Sequence, residues 1–243
     1  MIKNILVCIL LSMTALFAEA FHANYNATFG VFGTVGSIHN VVTQNKHTYK
    51  IETTVKLAGL AKIIMGNQTE HYISTGHIVK GMMISDDYTM ISTKKDKKKI
   101  KDYHIDHKHK DVTKRYRKWV NGKLIRDEKH TLHFYAENDL LTLYFNMNHA
   151  IKTKGKVYTM KAVGLEKQKG VVKVTVPTDA QENSYKKDLG PTADWYAKAR
   201  IVQENFRKNS GDILLSVDSD GFIKKAVIKD ILMFGDATLI RVK

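Results

Sequence analysis

The chain is poor in the residues that make covalent or metal frameworks: among 243 residues there is one cysteine, and only two prolines. A lone cysteine excludes a disulfide scaffold and any multi-cysteine zinc or iron–sulfur site. Two prolines exclude a proline-rich linker protein. The sequence also has no G-x-S-x-G elbow, no H-E-x-x-H, no Walker loop and no G-x-G-x-x-G opening a helix. A non-enzymatic protein without cofactors is therefore expected. Acidic residues are scarce relative to basic ones, 24 against 39, for a formal charge of +15. Such a charge points to an anionic environment or partner and says nothing about fold. The 43% hydrophobic content supplies a core and excludes a disordered tail protein.

Residues 1–20, MIKNILVCILLSMTALFAEA, have the parts of an export signal. Lys3 is the short positive region, Ile5 to Ala18 is the apolar run, and Ala18-Glu19-Ala20 has the small-x-small pattern of a cleavage site. The run is shorter than the about 20 residues that cross a bilayer. Ile5-Leu6-Val7 before Cys8 lacks the small residue of a lipidation site. Cleavage after Ala20 is expected, leaving a cysteine-free mature chain with no transmembrane segment in the periplasm of a Gram-negative bacterium. Losing Lys3 and Glu19 leaves 38 basic and 23 acidic residues, so the charge of +15 persists. Export also separates the chain from cytoplasmic nucleic acid, although interleaved basic and aromatic residues would suit it.

From Asn24 onward the pattern has a period of two. Tyr25, Ala27 and Phe29 alternate with Asn24, Asn26 and Thr28, and Tyr49, Ile51, Thr53 and Val55 alternate with Lys50, Glu52 and Thr54. This predicts a sheet with one buried and one wetted face. Further strands are expected at 38–43, 70–75, 78–85, 88–93, 100–107, 112–120 and 123–131, with an Asn121-Gly122 hairpin turn between the last two. The rhythm returns at 156–163, 171–176, 212–217, 222–229 and 238–242. Leu57 to Met65 and Glu137 to Asn148 are short helix candidates. The spacing of Trp195, Ala199, Val202 and Phe206 predicts a longer helix over Thr192 to Lys208. The economical architecture is mainly β: a single antiparallel sheet curved into an open, incomplete barrel with a few covering helices. Residues 21–243 are expected to form one periplasmic domain.

Residues 94–133 hold 15 Lys and Arg against six Asp and Glu, so +9 of the +15 lies there. Lys114, Arg115 and Arg117 beside Tyr116 and Trp119 could hold phosphates or sugars of an envelope glycolipid, or anionic lipid head groups. The blander reading, which the composition favours, is a solvated edge that resists aggregation. His104, His107 and His109 with Asp106 suggest metal, yet on one strand they divide between its two faces, which makes a poor site. Asp218-Ser219-Asp220-Gly221 starts like a calcium loop but lacks the downstream Glu, and reads as a hairpin turn.

ENDLLTLYFNM (Glu137 to Met147), YNATFGVFGTVG (Tyr25 to Gly36) with HTYKIETTVKLAGL (His47 to Leu60), and the segment Ser216 to Val242 resemble the domain of unknown function 3108 family of exported bacterial proteins. The resemblance implies a periplasmic, β-rich domain with no catalytic residues to carry over. Its shape would be similar to the half-open barrels of periplasmic lipoprotein and lipid carriers. The expected function is binding an anionic or amphiphilic envelope component, lipid or glycolipid. In that picture Lys114, Arg115, Arg117 and Trp119 meet head groups, while Trp195, Val202 and Phe206 line or lid a cavity. The alternative is an assembly factor that docks to an envelope protein through a sheet edge.

Overall fold

The computed structural model describes residues 19–151, 153–165, 169–201, 211–231 and 235–242. Its first half is an up-and-down run of strands: β1 (Glu19–Phe29), β2 (Thr34–Gln44), β3 (Thr48–Leu57), β4 (Gln68–Val79), β5 (Met82–Lys94), β6 (Lys97–Asp106), β7 (Asp111–Val120) and β8 (Lys123–Thr131). A short helix, α1 (Gly59–Met65), joins β3 to β4. Helix α2 (Leu140–Ala150) leads to β9 (Val157–Lys161), β10 (Val171–Thr175), α3 (Asp179–Leu189), β11 (Trp195–Ile201), β12 (Gly211–Val217), β13 (Ile223–Ile231) and β14 (Gly235–Val242). These strands form one antiparallel sheet in the order β8-β7-β6-β5-β4-β3-β2-β1-β14-β13-β12-β11-β10-β9. The first and last strands pair at its centre, Asn24 opposite Val242 through Phe29 opposite Ala237. β8 and β9 are left as the two edges, so the sheet is not closed into a barrel.

Alternation decides which face is buried. Tyr25, Tyr49, Ile51, Tyr88, Tyr103 and Ile105 point to the inner face and are at most 4% exposed. Helix α2 lies across that face and fills it. Leu143 and Met147 pack against β9 to β13 residues such as Val172, Val174, Ala197, Leu215 and Ala226. Leu141 and Phe145 pack toward Tyr49, Ile51 and Phe222. Each such side chain contributes about 1.5–3 kcal/mol of apolar burial, so a filled interior is the favoured state. The segment before α2 closes the other side: Ala136, with Tyr135 and Leu132, packs on Tyr88, Tyr103, Ile105 and Val112. α3 covers the outer face, where Leu189 and Tyr185 meet Tyr196, Leu214 and Val227.

Two expectations change. The helix expected over Thr192 to Lys208 is not formed where it is described, because Trp195–Ile201 is strand β11. It pairs with β12 from Trp195 opposite Val217 to Ile201 opposite Gly211. A spacing of four residues puts Trp195 and Ala199 on one face of a strand as readily as of a helix. Ala197, fully buried between them on that face, breaks the tie for the strand. The single strand expected over 78–85 is two strands, β4 and β5, separated by a turn at Lys80 and Gly81, both with positive φ. The helix at α3 went unrecognised because its sequence DAQENSYKKDL is polar. Its signal is the capping box before it, Thr178 and Gln181, in which each side chain bonds the other's backbone N–H.

Candidate functional site

Strand register assembles three rows of side chains on the inner face. The first runs Ser74, Tyr88, Tyr103, Lys114, His130 across β4 to β8; the second runs Tyr72, Met90, Lys101, Tyr116, Glu128; the third runs Glu70, Ser92, Lys99, Lys118, Arg126. Ala136 and Leu141 with their neighbours cover Tyr88 and Tyr103 of the first row and pack against Tyr72 and Met90 of the second. Next to them, second- and third-row residues of β4 to β7 line a trough of about 350 Å³. Tyr72, Met90, Lys101 and Tyr116 line it from the second row, Glu70, Ser92 and Lys99 from the third, and Gln68 from the end of β4; the Arg126 guanidinium lies 5.1 Å from the centre of the Tyr116 ring. That volume is at the low end for small-molecule sites, enough for one chain or ring system. Glu70 is occupied within the protein: Gln68 Nε2 donates to it at 2.9 Å, and the Tyr72 hydroxyl donates to its other oxygen. Burial and the neighbouring Glu70 charge push the Tyr72 phenol far above its ordinary value.

The proposed head-group residues do not share a face. Lys114 is on the inner face, its Nζ 5.6 Å from the centre of the Tyr103 ring. Arg115, Arg117 and Trp119 alternate onto the outer face. There Arg115 grips Asp127 with Nε at 2.8 Å and Nη2 at 2.6 Å, and Arg117 Nη2 donates to Asp102 at 2.5 Å. Trp119 has the Arg117 guanidinium 5.6 Å from its ring centre on β7 and the Lys98 ammonium 6.0 Å away on β6. Both arginines are thus engaged by carboxylates across the strands, a cross-strand ladder of the kind that stabilises a sheet face.

Trp195 lies elsewhere, on the twelfth strand of the order while β7 is the second. Its indole N–H donates to Asn148 of α2 at 2.7 Å. It lines a separate cleft of about 410 Å³ with Ile151, Lys154, Val176 and Glu182. Lys154 there is bound by Asp179 at 2.5 Å and Glu182 at 2.7 Å, which raises its pKa. Val202 and Phe206 lie outside the described residues, as does Ala18. Ala20 is in β1, opposite Thr43.

The histidines find separate partners. His107 bonds Tyr135 at 2.9 Å through Nδ1 and the Ser85 carbonyl at 2.8 Å through Nε2, so Nε2–H donates and Nδ1 accepts. His109 is held by Asp106 at 2.7 Å and His104 by Asp87 at 2.9 Å. Among the described residues no three His, Cys, Asp or Glu side chains are arranged to hold a metal ion. Asp218 and Gly221 close a hairpin turn, with Gly221 N–H donating to the Asp218 carbonyl at 2.9 Å.

One buried polar centre escaped the sequence reading. Asp139, fully buried, caps α2 through Oδ1, which accepts from the Leu141 N–H at 2.7 Å and the Thr142 N–H at 3.1 Å. Its Oδ2 accepts from the hydroxyls of Ser74 at 2.5 Å, Ser85 at 2.6 Å and Thr142 at 3.0 Å. Tyr49 donates to Thr142 at 2.7 Å, and burial with the nearby Asp139 charge pushes its phenol up to about 12. Burial likewise pushes the Asp139 carboxyl up, against its hydrogen bonds. The signal was Asn138-Asp139 directly before an apolar run, a helix start. This centre ties α2 to β3, β4 and β5 and fixes the helix over the inner face beside the trough.

No family model matches the chain, and no curated protein matches it. It is similar to the crystal structure of a beta-barrel-like protein of domain of unknown function DUF1849 from Brucella abortus, at 12% identity and a TM-score of 0.47, covering 93% of this chain and 96% of that one.

Proposed function

We propose that the protein binds an anionic amphiphile of the bacterial envelope, a lipid or glycolipid, in the trough of β4 to β7. The observation that carries the reading is that the apolar or aromatic side chains Tyr72, Met90 and Tyr116 line one trough together with Lys99 and Lys101. An apolar chain would lie against Tyr72 and Met90 and its anionic end would meet the ammonium groups. The interior itself is filled by α2, so the cargo site is this shallow trough and not a central chamber. The export signal expected from residues 1–20 would put such a non-enzymatic binding protein in the periplasm. Native mass spectrometry of the exported protein tests it. The parent protein is expected to carry or take up phosphatidylglycerol or lipid A-type glycolipids. Met90→Trp, which fills the trough, abolishes uptake, and Lys99→Glu with Lys101→Glu weakens it roughly tenfold. Arg115→Gln on the outer face leaves it unchanged. A protein that stays empty across these lipid classes sinks the reading.

Docking of an envelope protein to the edge strand β8 is the second reading. It is favoured by the exposure of every β8 residue, Leu124 and Ile125 included. Co-purification of one protein, lost when Ile125 is changed to Pro, would support it over lipid binding.

A further inference from the structure

The strand ends at the open end of the trough share one rim. The β1–β2 connection, α1, the β5–β6 turn and the β7–β8 turn all lie there, since β2 begins opposite the end of β3, and β4 begins opposite the end of β5. Short contacts join them in series. Ala58 N–H donates to the Val35 carbonyl at 2.9 Å, linking α1 to β2. A Cβ placed on Gly66, just after α1, would lie 3.5 Å from the Lys94 side chain and 3.7 Å from that of Lys95. Asn121 N–H donates to the Asp96 carbonyl at 2.9 Å, tying the two hairpin turns together.

This rim is basic and apolar at once. Lys62, Lys94, Lys95, Lys97, Lys98 and Lys123 stand there with Asp96. Amid them Ile63 is 79% exposed and Phe32 is 47% exposed, with Leu124 at the start of β8. The opposite ends of the same strands have compensated charge, with Lys80, Lys108 and Lys110 among Asp86, Asp87, Asp106 and Asp111. Val79 is exposed at the opposite end too; what sets this rim apart is that Ile63, Phe32 and Leu124 share it with six lysines and Asp96. Anionic head groups attract the lysines, and the apolar tips enter the head-group boundary.

We infer that this rim docks onto an anionic lipid bilayer. The trough opens toward it, because Gln68, Ser92 and Lys99 form the trough's outer end and Lys94 and Lys97 continue the same strands. Docking rests on the trough reading only in making the bilayer the source of cargo.

Co-sedimentation of the exported protein with vesicles tests it. The protein is expected to pellet with vesicles of phosphatidylglycerol and phosphatidylethanolamine, to be released by salt, and not to pellet with phosphatidylcholine alone. The triple variant K95E/K97E/K98E is expected to bind at least 100-fold more weakly, and K95Q/K97Q/K98Q by an intermediate factor. Ile63→Asp is expected to bind about tenfold more weakly at every salt concentration. All these positions are exposed, and thermal unfolding checks that each variant is folded. Equal pelleting with phosphatidylcholine, variants that pellet like the parent, or displacement by inorganic phosphate beyond that by sodium chloride of the same ionic strength would each overturn docking. The two readings separate cleanly. Met90→Trp keeps vesicle binding while losing cargo; a parent that pellets empty sinks the trough alone, and one that carries lipid without pelleting sinks docking alone.

Discussion

A carboxylate sealed from water must replace its hydration shell with hydrogen-bond donors, and Asp139 does so with three hydroxyls and two amides. Removing the acceptor strands several buried donors at once, so Asp139→Ala is expected to cost about 3 kcal/mol or more. Asp139→Asn keeps the amide contacts through its oxygen and should cost less, about 1–2 kcal/mol, with Ser85→Ala smaller still. The carboxyl also gives the fold a pH dependence. Its pKa is raised by burial relative to the unfolded chain, so the folded protein holds this proton more tightly. The stability this confers is complete below the unfolded value and is lost as pH rises through the raised folded value. Urea midpoints measured between about pH 4 and about pH 8 should fall with rising pH in the parent and fall less steeply in Asp139→Asn. Equal slopes would show that the carboxyl is ionised in both states. The sequence pattern predicts Asp139 inside a helix from Glu137 to Asn148, whereas it caps a helix that begins at Leu140; its network was illegible because Ser74 and Ser85 reach it only through strand pairing.

Elements with a clean period of two were readable, and those that satisfy two periods were not. β3 alternates without interruption and emerged as expected, whereas Trp195 and Ala199 fit a helix and a strand equally well. α3 failed for the opposite reason: its polar residues have no apolar period, and tertiary contact through Leu189 and Tyr185 holds it on the sheet. Turn chemistry also hid the break between β4 and β5, since Lys80 takes a left-handed conformation usually reserved for glycine or asparagine. Opposite Thr75 and Gly76 of β4, Asp86 is the extra, unpaired residue of a bulge in β5. A Cβ on Gly76 would lie 2.0 Å from the Ile84 carbonyl oxygen and 2.9 Å from the Tyr49 hydroxyl. Because the first obstacle is backbone, Gly76→Ala should destabilise by about 2–3 kcal/mol or more. Gly81→Ala, at φ of +80° with open space around it, should cost only about 1 kcal/mol of backbone strain. Chemical denaturation of both variants checks the ordering, and a Gly76→Ala protein as stable as Gly81→Ala would refute the clash.

At the scale of the molecule, the pattern of side chains says which face of each strand is buried but not which strand lies beside it. That is why an open, curved sheet was readable while the pairing of β1 with β14 was not. For the same reason Lys99, Lys101, Tyr116 and Met90 appeared in the sequence as separate strand residues, and only register makes them one trough. The β1–β14 pairing divides the sheet into a β2 to β8 wing and a β9 to β13 wing, joined there and through α2. The two tryptophans of the chain report one wing each, Trp119 on β7 and Trp195 on β11. If α2 is the shared core of both wings, they unfold as one unit. Single-tryptophan variants made by Trp195→Phe and Trp119→Phe should then show coincident denaturation midpoints in otherwise identical backgrounds. Leu143, 8% exposed, packs in the cluster of the β9 to β13 wing, so Leu143→Ala should lower stability by about 3 kcal/mol. The decisive reading is the Trp119 signal, which comes from the far wing. It should shift by the same amount as the Trp195 signal, and a Trp119 midpoint that stays put while Trp195 moves would mean that the wings fold independently.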